Sequence, residues 1–202
     1  MLLPIIAYLV IGLYTLALAY ITFYCLIQFH LLLKYNKGRK EEALSKDGLL
    51  YSGESLPLIT IQLPVFNERF VVERLIDNIV TMDYPADKLE IQVLDDSTDD
   101  TTEVCKRKVE EYKSKGIDIV YIHRTNREGF KAGALRDGLQ VAKGEFIAIF
   151  DADFLPHKDF LLKTVPYFKD AQVGVVQTRW EHINGDYSLI TRLQAFQLNV
   201  HF

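Results

Sequence analysis

The most restrictive feature of this sequence is its beginning, because the first 33 residues contain no Asp, Glu, Lys or Arg. A transmembrane helix needs about 20 largely apolar residues, and this segment exceeds that length even with Gln28 and His30 at an interface. A secretory signal would start with basic residues and end at a small-residue cleavage site, whereas this segment starts uncharged and ends in bulky leucines. We therefore predict one retained transmembrane helix at residues 1–33.

A basic cluster follows the apolar segment directly and consists of Lys34, Lys37, Arg39 and Lys40. Basic residues beside a membrane span usually remain on the cytoplasmic side. The sequence thus predicts an integral membrane protein of the plasma, inner or Golgi membrane, in contact with membrane lipid and with its later residues in the cytosol. Residues 34–57 are predicted to be a polar juxtamembrane linker, and the alternative is that the basic run is only part of this solvated linker.

Composition narrows the class of partners. The chain of 202 residues is 49% hydrophobic, which is enough apolar surface to offset the entropy of folding. Its net charge of −4 leaves no basic excess for a phosphate backbone, so we expect no nucleic acid partner. Cys25 and Cys105 are too few for a disulfide framework or a zinc cluster.

Strand and helix patterns alternate from residue 58 onward. Short apolar runs predict strands at 58–63, 89–94, 117–123, 146–150 and 173–176. Amphipathic or charged segments predict helices at 69–82, 101–115, 131–142 and 159–169. Pro64 is expected to end the first strand, Gly116 to end the second helix and Pro166 to interrupt or bend the last. This alternation is typical of an α/β fold with a mostly parallel, Rossmann-type sheet flanked by helices.

Ligands of open α/β sheets bind at the carboxyl ends of the strands, and acidic residues cluster there in this sequence. Asp151 and Asp153 are two apart after a buried strand, so they can offer oxygen ligands to Mn²⁺ or Mg²⁺, which would bridge to a diphosphate. The alternative is a solvated acidic turn. Asp95 and Asp96 follow another strand and could accept hydrogen bonds from a nucleobase or ribose. Glu68 is either a helix N-terminal charge or a base contact.

A glycine-containing loop at residues 126–133 opens a helix. Free backbone N–H groups and the helix dipole favour a phosphate there, and Lys131 adds a positive charge. The spacing of Gly129 and Gly133 fits neither the P-loop nor the dinucleotide fingerprint, and a plain helix cap is the alternative.

Four motifs together resemble those of the family 2 glycosyltransferases with a GT-A fold, and within them the cellulose-synthase-like polysaccharide synthases. They are PVFNE at 64–68, VLDDSTD at 93–99, GFKAGAL at 129–135 and FDADF at 150–154. The segment from 176 to 194 is most similar to the glucomannan and xyloglucan-backbone synthase branches. The resemblance implies a GT-A nucleotide-sugar-binding domain at 58–202, which follows the predicted membrane span.

The resemblance also implies a function and a site. The function is inverting transfer of a hexose from a UDP- or GDP-sugar to a growing β-linked polysaccharide, which is the glycan acceptor. Glu68 and Asp96, beside Val65, hold the nucleoside, Lys131 meets the diphosphate and Asp153 binds the Mn²⁺ or Mg²⁺. The second choices at these sites are Asp95 for the nucleoside and Asp151 for the metal.

The sequence departs from the family pattern after the metal motif. The family's general base is an Asp in a Thr-Glu-Asp-like segment, followed by Gln-x-x-Arg-Trp, and neither occurs before Phe202. We therefore expect the base beyond Phe202, the domain to be incomplete at its C-terminus and this fragment alone to be inactive. The run from Gln177 to Trp180 has one residue too few for the acceptor motif, and Trp180 is expected to pack at the sheet edge or in the core.

Three other functions remain open from the residues. Glycosyl transfer to dolichyl phosphate or a sphingolipid would suit the membrane anchor. A non-catalytic nucleotide-binding module would suit the missing base. A haloacid-dehalogenase-type phosphoryl transfer would use Asp151 as nucleophile, but Phe154, Leu155 and Pro156 follow instead of small hydroxyl residues that contact phosphate.

Overall fold

The computed structural model of the chain describes the backbone of residues 2–45 and 56–201 and the side chains of residues 4–35 and 56–196. The described residues form two compact units, one made of residues up to 45 together with 177–201 and the other of residues 56–176. The second unit starts close to the predicted domain boundary at residue 58, while residues 177–201 group with the N-terminal helix.

Helix α1, Leu2–Ser45, contains the predicted span. Its segment Pro4–Tyr35 contains an 18-residue window with a mean hydropathy of 2.1, and within the described residues α1 is the one helix long and apolar enough to cross a membrane. The helix continues beyond the predicted end at Leu33 because residues 34–45 are mostly good helix formers. The first part of the predicted linker is therefore helical, and residues 46–55 of that linker lie outside the described residues.

Four parallel strands form the sheet of the second unit. They are β1 Ile59–Val65, β2 Leu89–Asp95, β3 Ile119–His123 and β4 Phe146–Ile149, in the order β3-β2-β1-β4. The predicted parallel α/β sheet is confirmed. The chain adds β2 and β3 on one side of β1 and then crosses to place β4 on the other side. The carboxyl ends of β1 and β4 therefore form a topological switch point, where ligands of such sheets bind.

Among the described residues, five further α-helices follow α1, with two short 3₁₀ helices between them. They are α2 Val72–Ile79, α3 Thr101–Ser114, α4 Phe130–Leu139, α5 Phe160–Thr164 and α6 Leu189–His201, with 3₁₀ turns at Ala86–Lys88 and Val165–Lys169. Gly116 ends α3 with a φ of +85°, as predicted. Pro166 lies in the first turn of the second 3₁₀ helix, so the predicted interruption of the last helix is also confirmed.

The two faces of the sheet bury different kinds of side chain. On one face the aliphatic residues of β1 and β2 pack against the predicted apolar stripe of α2, and each fully buried aliphatic side chain contributes about 1.5–3 kcal/mol. On the other face Gln62 donates to Gln92 Oε1 at 3.0 Å and to the Leu135 carbonyl of α4 at 3.3 Å. This contact fixes α4 over β1 and β2.

Three sequence predictions of local structure are wrong. Pro64 does not end β1, because it lies beyond the last residue that pairs with β4 and its missing N–H removes no bond on that side. Residues 173–176 form no strand, and Val175 is 82% exposed. A run of valines favours a strand only where a neighbouring strand or core receives it. Trp180 is 44% exposed and belongs neither to the sheet nor to the core.

Candidate functional site

A cavity of about 310 Å³ lies at the carboxyl ends of β1, β2 and β4, at the switch point of the sheet. Its lining combines apolar residues with carboxylates and two cations: Pro64, Val65, Phe66, Glu68, Asp96, Arg127, Lys131, Ala134, Asp151, Ala152 and Asp153. The structure thus brings together every predicted site residue except Asp95.

Asp95 points into the protein instead. Its side chain is fully buried and accepts hydrogen bonds from the Ser97 N–H at 2.9 Å, the Thr102 hydroxyl at 2.9 Å and the Tyr121 hydroxyl at 2.6 Å. Burial by itself would raise the pKa of this carboxyl, but the hydrogen bonds outweigh burial and lower the pKa below its ordinary value. Asp95 is therefore an ionised internal anchor that joins β2 to β3 and α3, and it is not part of the cavity wall.

Asp96 reaches the cavity and is held there by Arg124. Arg124 Nε and Nη2 donate to the two oxygens of Asp96 at 2.8 and 2.5 Å. The remaining N–H groups donate to the Asp137 carboxylate at 3.0 Å and to the carbonyls of Glu128 and Phe130 at 3.2 and 3.0 Å. A guanidinium has five N–H donors, so all of them are used. These bonds raise the pKa of Arg124 and tie the end of β2 to the loop before α4.

The loop before α4 is compact because glycines allow a close approach. Gly129 has a φ of +70°, which strains any other residue. A Cβ atom on Gly133 would lie 1.8 Å from the Glu128 carbonyl oxygen and 2.8 Å from Arg124 Nη1. No side chain fits there without moving the loop. The glycines that resemble the family motif thus let the loop fold back over the start of α4, beside Lys131.

Lys131 and the two aspartates after β4 form the other end of the cavity. Lys131 Nζ donates to Asp151 Oδ1, while Asp153 is exposed. Among the described side chains, no group of three or more His, Cys, Asp or Glu residues is close enough to hold a metal ion. Mg²⁺-type cations are commonly held by one or two carboxylates together with substrate phosphates. The residues present therefore fit a hard divalent cation that is completed by a phosphorylated ligand.

The loop after β1 is fixed to the loop after β2. Asn67 has a φ of +56°, and its side-chain oxygen accepts from the Thr98 N–H at 2.9 Å. The Asn67 N–H donates to Ser97 Oγ at 2.9 Å. Glu68 is the next residue and is exposed at the cavity. Both loops thus present their side chains from a common, hydrogen-bonded frame.

Sequence reasoning gave no role of their own to two residues of this region. Arg124 follows β3 directly, and its position at a strand end was a signal that it belongs to the site. Arg127 is in the glycine-containing loop and lines the cavity. Sequence proximity does not show which loop residue turns inward, since that depends on the folded-back path between Arg124 and α4.

A second cavity of about 500 Å³ is formed by residues of the other unit, between His182 and Phe196. Asp186 is the one carboxylate among its described lining residues, and it lies 3.5 Å from Arg192. Its described lining has one carboxylate and one arginine, whereas four carboxylates and two cations line the cavity at the sheet edge. The switch-point cavity is therefore the candidate functional site.

The fold and the cavity together define an α/β domain of the kind that binds ligands at a topological switch point. Residues 60–201 match the family model described as Glycosyl transferase family 2, and the chain belongs to this family. The resemblance drawn from the four motifs is confirmed.

Curated relatives specify the branch of the family. Glucomannan 4-beta-mannosyltransferase 9 of Arabidopsis thaliana is 41% identical over 174 residues, which cover 84% of this chain and 32% of the relative. Probable glucomannan 4-beta-mannosyltransferase 11 of Oryza sativa subsp. japonica is 43% identical over 153 residues, which cover 73% of this chain and 27% of the relative. The chain thus spans less than a third of the length of these relatives.

A solved structure agrees with the fold. The mannosyltransferase PcManGT from Pyrobaculum calidifontis, in complex with GDP-mannose and Mn²⁺, superposes with a TM-score of 0.60 at 34% identity. The match covers 75% of this chain and 45% of that protein. The predicted GT-A-like fold is confirmed by this likeness.

Proposed function

We propose that the protein is a membrane-anchored, inverting glycosyltransferase that uses a nucleotide-diphosphate sugar, with GDP-mannose as the preferred donor, and extends a β-linked polysaccharide. The observation that carries this proposal is the switch-point cavity, which gathers six residues predicted from motifs far apart in the sequence. The choice of sugar is supported by the names of the two plant relatives and by the GDP-mannose bound to the Pyrobaculum enzyme.

The carboxylates after β1 and β2 are assigned to the nucleoside. Asp96 keeps lone pairs beyond those used by Arg124, and the two-point contact fixes the direction in which they face. Glu68 offers a second, exposed carboxylate in the same wall, next to the backbone of Val65. Such acceptors suit the N–H groups of a nucleobase and the hydroxyls of a ribose.

The opposite end of the cavity is assigned to the diphosphate. Lys131 is a mobile point charge, and its contact with Asp151 holds it at the cavity until phosphate oxygens compete for it. Asp153, with Asp151, would hold Mn²⁺ or Mg²⁺, and that cation would stabilise the negative charge of the departing diphosphate. The protein's own groups therefore orient the donor so that an acceptor hydroxyl can approach the sugar from the side opposite the phosphate.

A lipid acceptor is a second candidate, and the apolar helix α1 is the observation that favours it. A helix in the bilayer would tether the protein to the membrane that contains lipid-linked acceptors such as dolichyl phosphate. A non-catalytic nucleotide-binding module is the third candidate.

The proposal is tested by incubating detergent-solubilised protein that includes the segment expected to carry the general base with radiolabelled GDP-mannose or UDP-glucose and Mn²⁺. Parallel reactions contain β-linked manno- and gluco-oligosaccharides, dolichyl phosphate, or ceramide. Labelled oligosaccharide supports the proposal, with GDP-mannose as the better donor. Label in the lipid phase alone supports the second candidate. Saturable donor binding with no labelled product in any reaction supports the third.

A further inference from the structure

The switch-point cavity contains a cation that the sequence motifs do not explain. Of the two cations in the lining, Lys131 is paired with Asp151. Arg127 makes no ion pair or side-chain hydrogen bond with any described residue, and its Nε is buried without an acceptor. Buried N–H donors in folded proteins are nearly always paired. Arg127 therefore presents unused donors at a site built for a ligand.

The position of Arg127 is fixed by its surroundings. Its guanidinium carbon lies 3.2 Å from the centre of the Phe66 ring and 5.1 Å from that of Phe130. Cation–π contacts of this kind are attractive and orient the planar group. The stacking covers a face of the guanidinium and leaves the N–H edge as the part that can bind an acceptor.

The backbone at Arg127 is held in a costly conformation. Its φ is +39°, in the left-handed region that strains a residue other than glycine. The bonds from Arg124 to the carbonyls of Glu128 and Phe130 hold the turn just after it. Strain that persists because neighbouring contacts enforce it is typical of binding sites. The fold thus holds this side chain at the cavity even though its backbone conformation is strained.

The ion pairs of the lining leave Arg127 as a cation without an anionic partner among the described residues. Asp96 is paired with Arg124 and Asp151 with Lys131, while Glu68 and Asp153 are the carboxylates that the proposed function assigns to the nucleoside and the cation. The fork of an arginine matches two phosphate oxygens. We propose that Arg127 is a phosphate-binding residue of this site, which presents its N–H edge from the Phe66 ring to the diphosphate of the donor. This inference rests on the proposed function and adds a second cation to Lys131.

The test measures binding of GDP, UDP and inorganic pyrophosphate to the full chain in detergent with Mn²⁺ by titration calorimetry. Arg127→Met removes the charge and keeps an apolar side chain on Phe66, whereas Arg127→Lys keeps the charge and loses the planar fork. Arg107→Met is the matched control, because it removes the same charge from an exposed position on α3 that is paired with Glu73. Thermal unfolding shows that each variant is folded.

A phosphate contact predicts that Arg127→Met weakens every ligand that the wild type binds by the same factor, about tenfold or more. Arg127→Lys should recover part of this loss, and Arg107→Met should bind like the wild type. Unchanged binding by both Arg127 variants overturns the inference and leaves the proposed function standing. A loss for one nucleotide but not the other overturns it in favour of a base contact. Absence of wild-type binding to all three ligands overturns the proposed function itself, and the inference with it.

Discussion

At the scale of single residues, Asp95 and Asp96 show what a sequence motif leaves undecided. Asp95 is the last residue of β2 and Asp96 follows it, and neighbouring residues of an extended chain point to opposite sides, so the two carboxylates face different surroundings. The inward direction at Asp95 is set by the hydroxyl of Tyr121 on β3 and by Arg124, which holds Asp96 on the other side. Tyr121 lies 26 residues after Asp95, and Arg124 lies 28 residues after Asp96. The local sequence around the two aspartates therefore could not show which of them faces inward.

Replacing Asp95 by Asn should destabilise the domain by about 1–3 kcal/mol near neutral pH, because an amide cannot accept all the hydrogen bonds that the carboxylate receives. The folded-state pKa of Asp95 is lowered, so its contribution is fully present above the unfolded pKa of about 3.9. That contribution is lost as the pH falls through the lower folded pKa. The difference in melting temperature between wild type and Asp95→Asn should therefore be largest at pH 6–7 and shrink below about pH 4.

The control for this measurement is Asp87→Asn, at an exposed position in the 3₁₀ helix before β2. The melting temperature of Asp87→Asn should equal that of the wild type at every pH. A stability difference for Asp95→Asn that does not depend on pH would contradict an ionised, hydrogen-bonded Asp95.

At the scale of elements, the strands and helices around the sheet followed from periodicity, and the loop before α4 followed only in part. Apolar repeats identify α2 because its buried face recurs every three to four residues. Sequence patterns also predicted a phosphate-binding loop at residues 126–133, but they did not show the hydrogen bonds by which Arg124 joins this loop to the end of β2. Its partners Asp96 and Asp137 lie on different elements and meet only after folding. The prediction of a strand at residues 173–176 was wrong because strand propensity does not show whether another strand lies beside the segment to pair with it.

Gly133→Ala should disrupt the loop before α4. Its new methyl group would overlap the Glu128 carbonyl and crowd Arg124, so we expect a loss of unfolding free energy of about 1–3 kcal/mol and weaker nucleotide binding. Gly174→Ala is the matched control, since a Cβ there meets no atom within 4 Å. It should change stability by less than about 0.5 kcal/mol. Denaturant unfolding of both variants tests this, and equal stabilities would refute the close approach at Gly133.

At the scale of the whole molecule, the sequence predicts both the fold and much of the candidate site, because in a parallel sheet the position of the site follows from the fold. Every strand of a parallel sheet ends at the same edge, so polar residues after separate strands converge without knowledge of the packing. The order β3-β2-β1-β4 decides which ends are adjacent, and it places the residues after β1 beside Asp151 and Asp153. The switch point between β1 and β4 therefore explains where the cavity forms.

The orientation of the membrane helix gives a prediction at the same scale. The basic residues after the apolar segment should keep the sheet-containing unit in the cytosol. In sealed vesicles with the cytosolic side outward, protease should destroy an epitope fused after Phe202 together with a cytosolic control protein. Survival of the epitope while the control is digested would show the opposite orientation.

The central claim is that the switch-point cavity binds a nucleotide-diphosphate sugar together with a divalent cation. The most direct measurement is calorimetric titration of GDP-mannose and UDP-glucose into the detergent-solubilised chain with Mn²⁺, for the wild type, Asp153→Ala and the exposed control Asp87→Ala. Asp153 is exposed at the cavity, so its removal should weaken Mn²⁺-dependent binding by about tenfold or more with little change in melting temperature. Asp87→Ala should bind like the wild type. Equal affinities of wild type and Asp153→Ala with Mn²⁺ present, or no saturable binding by the wild type, would contradict the claim.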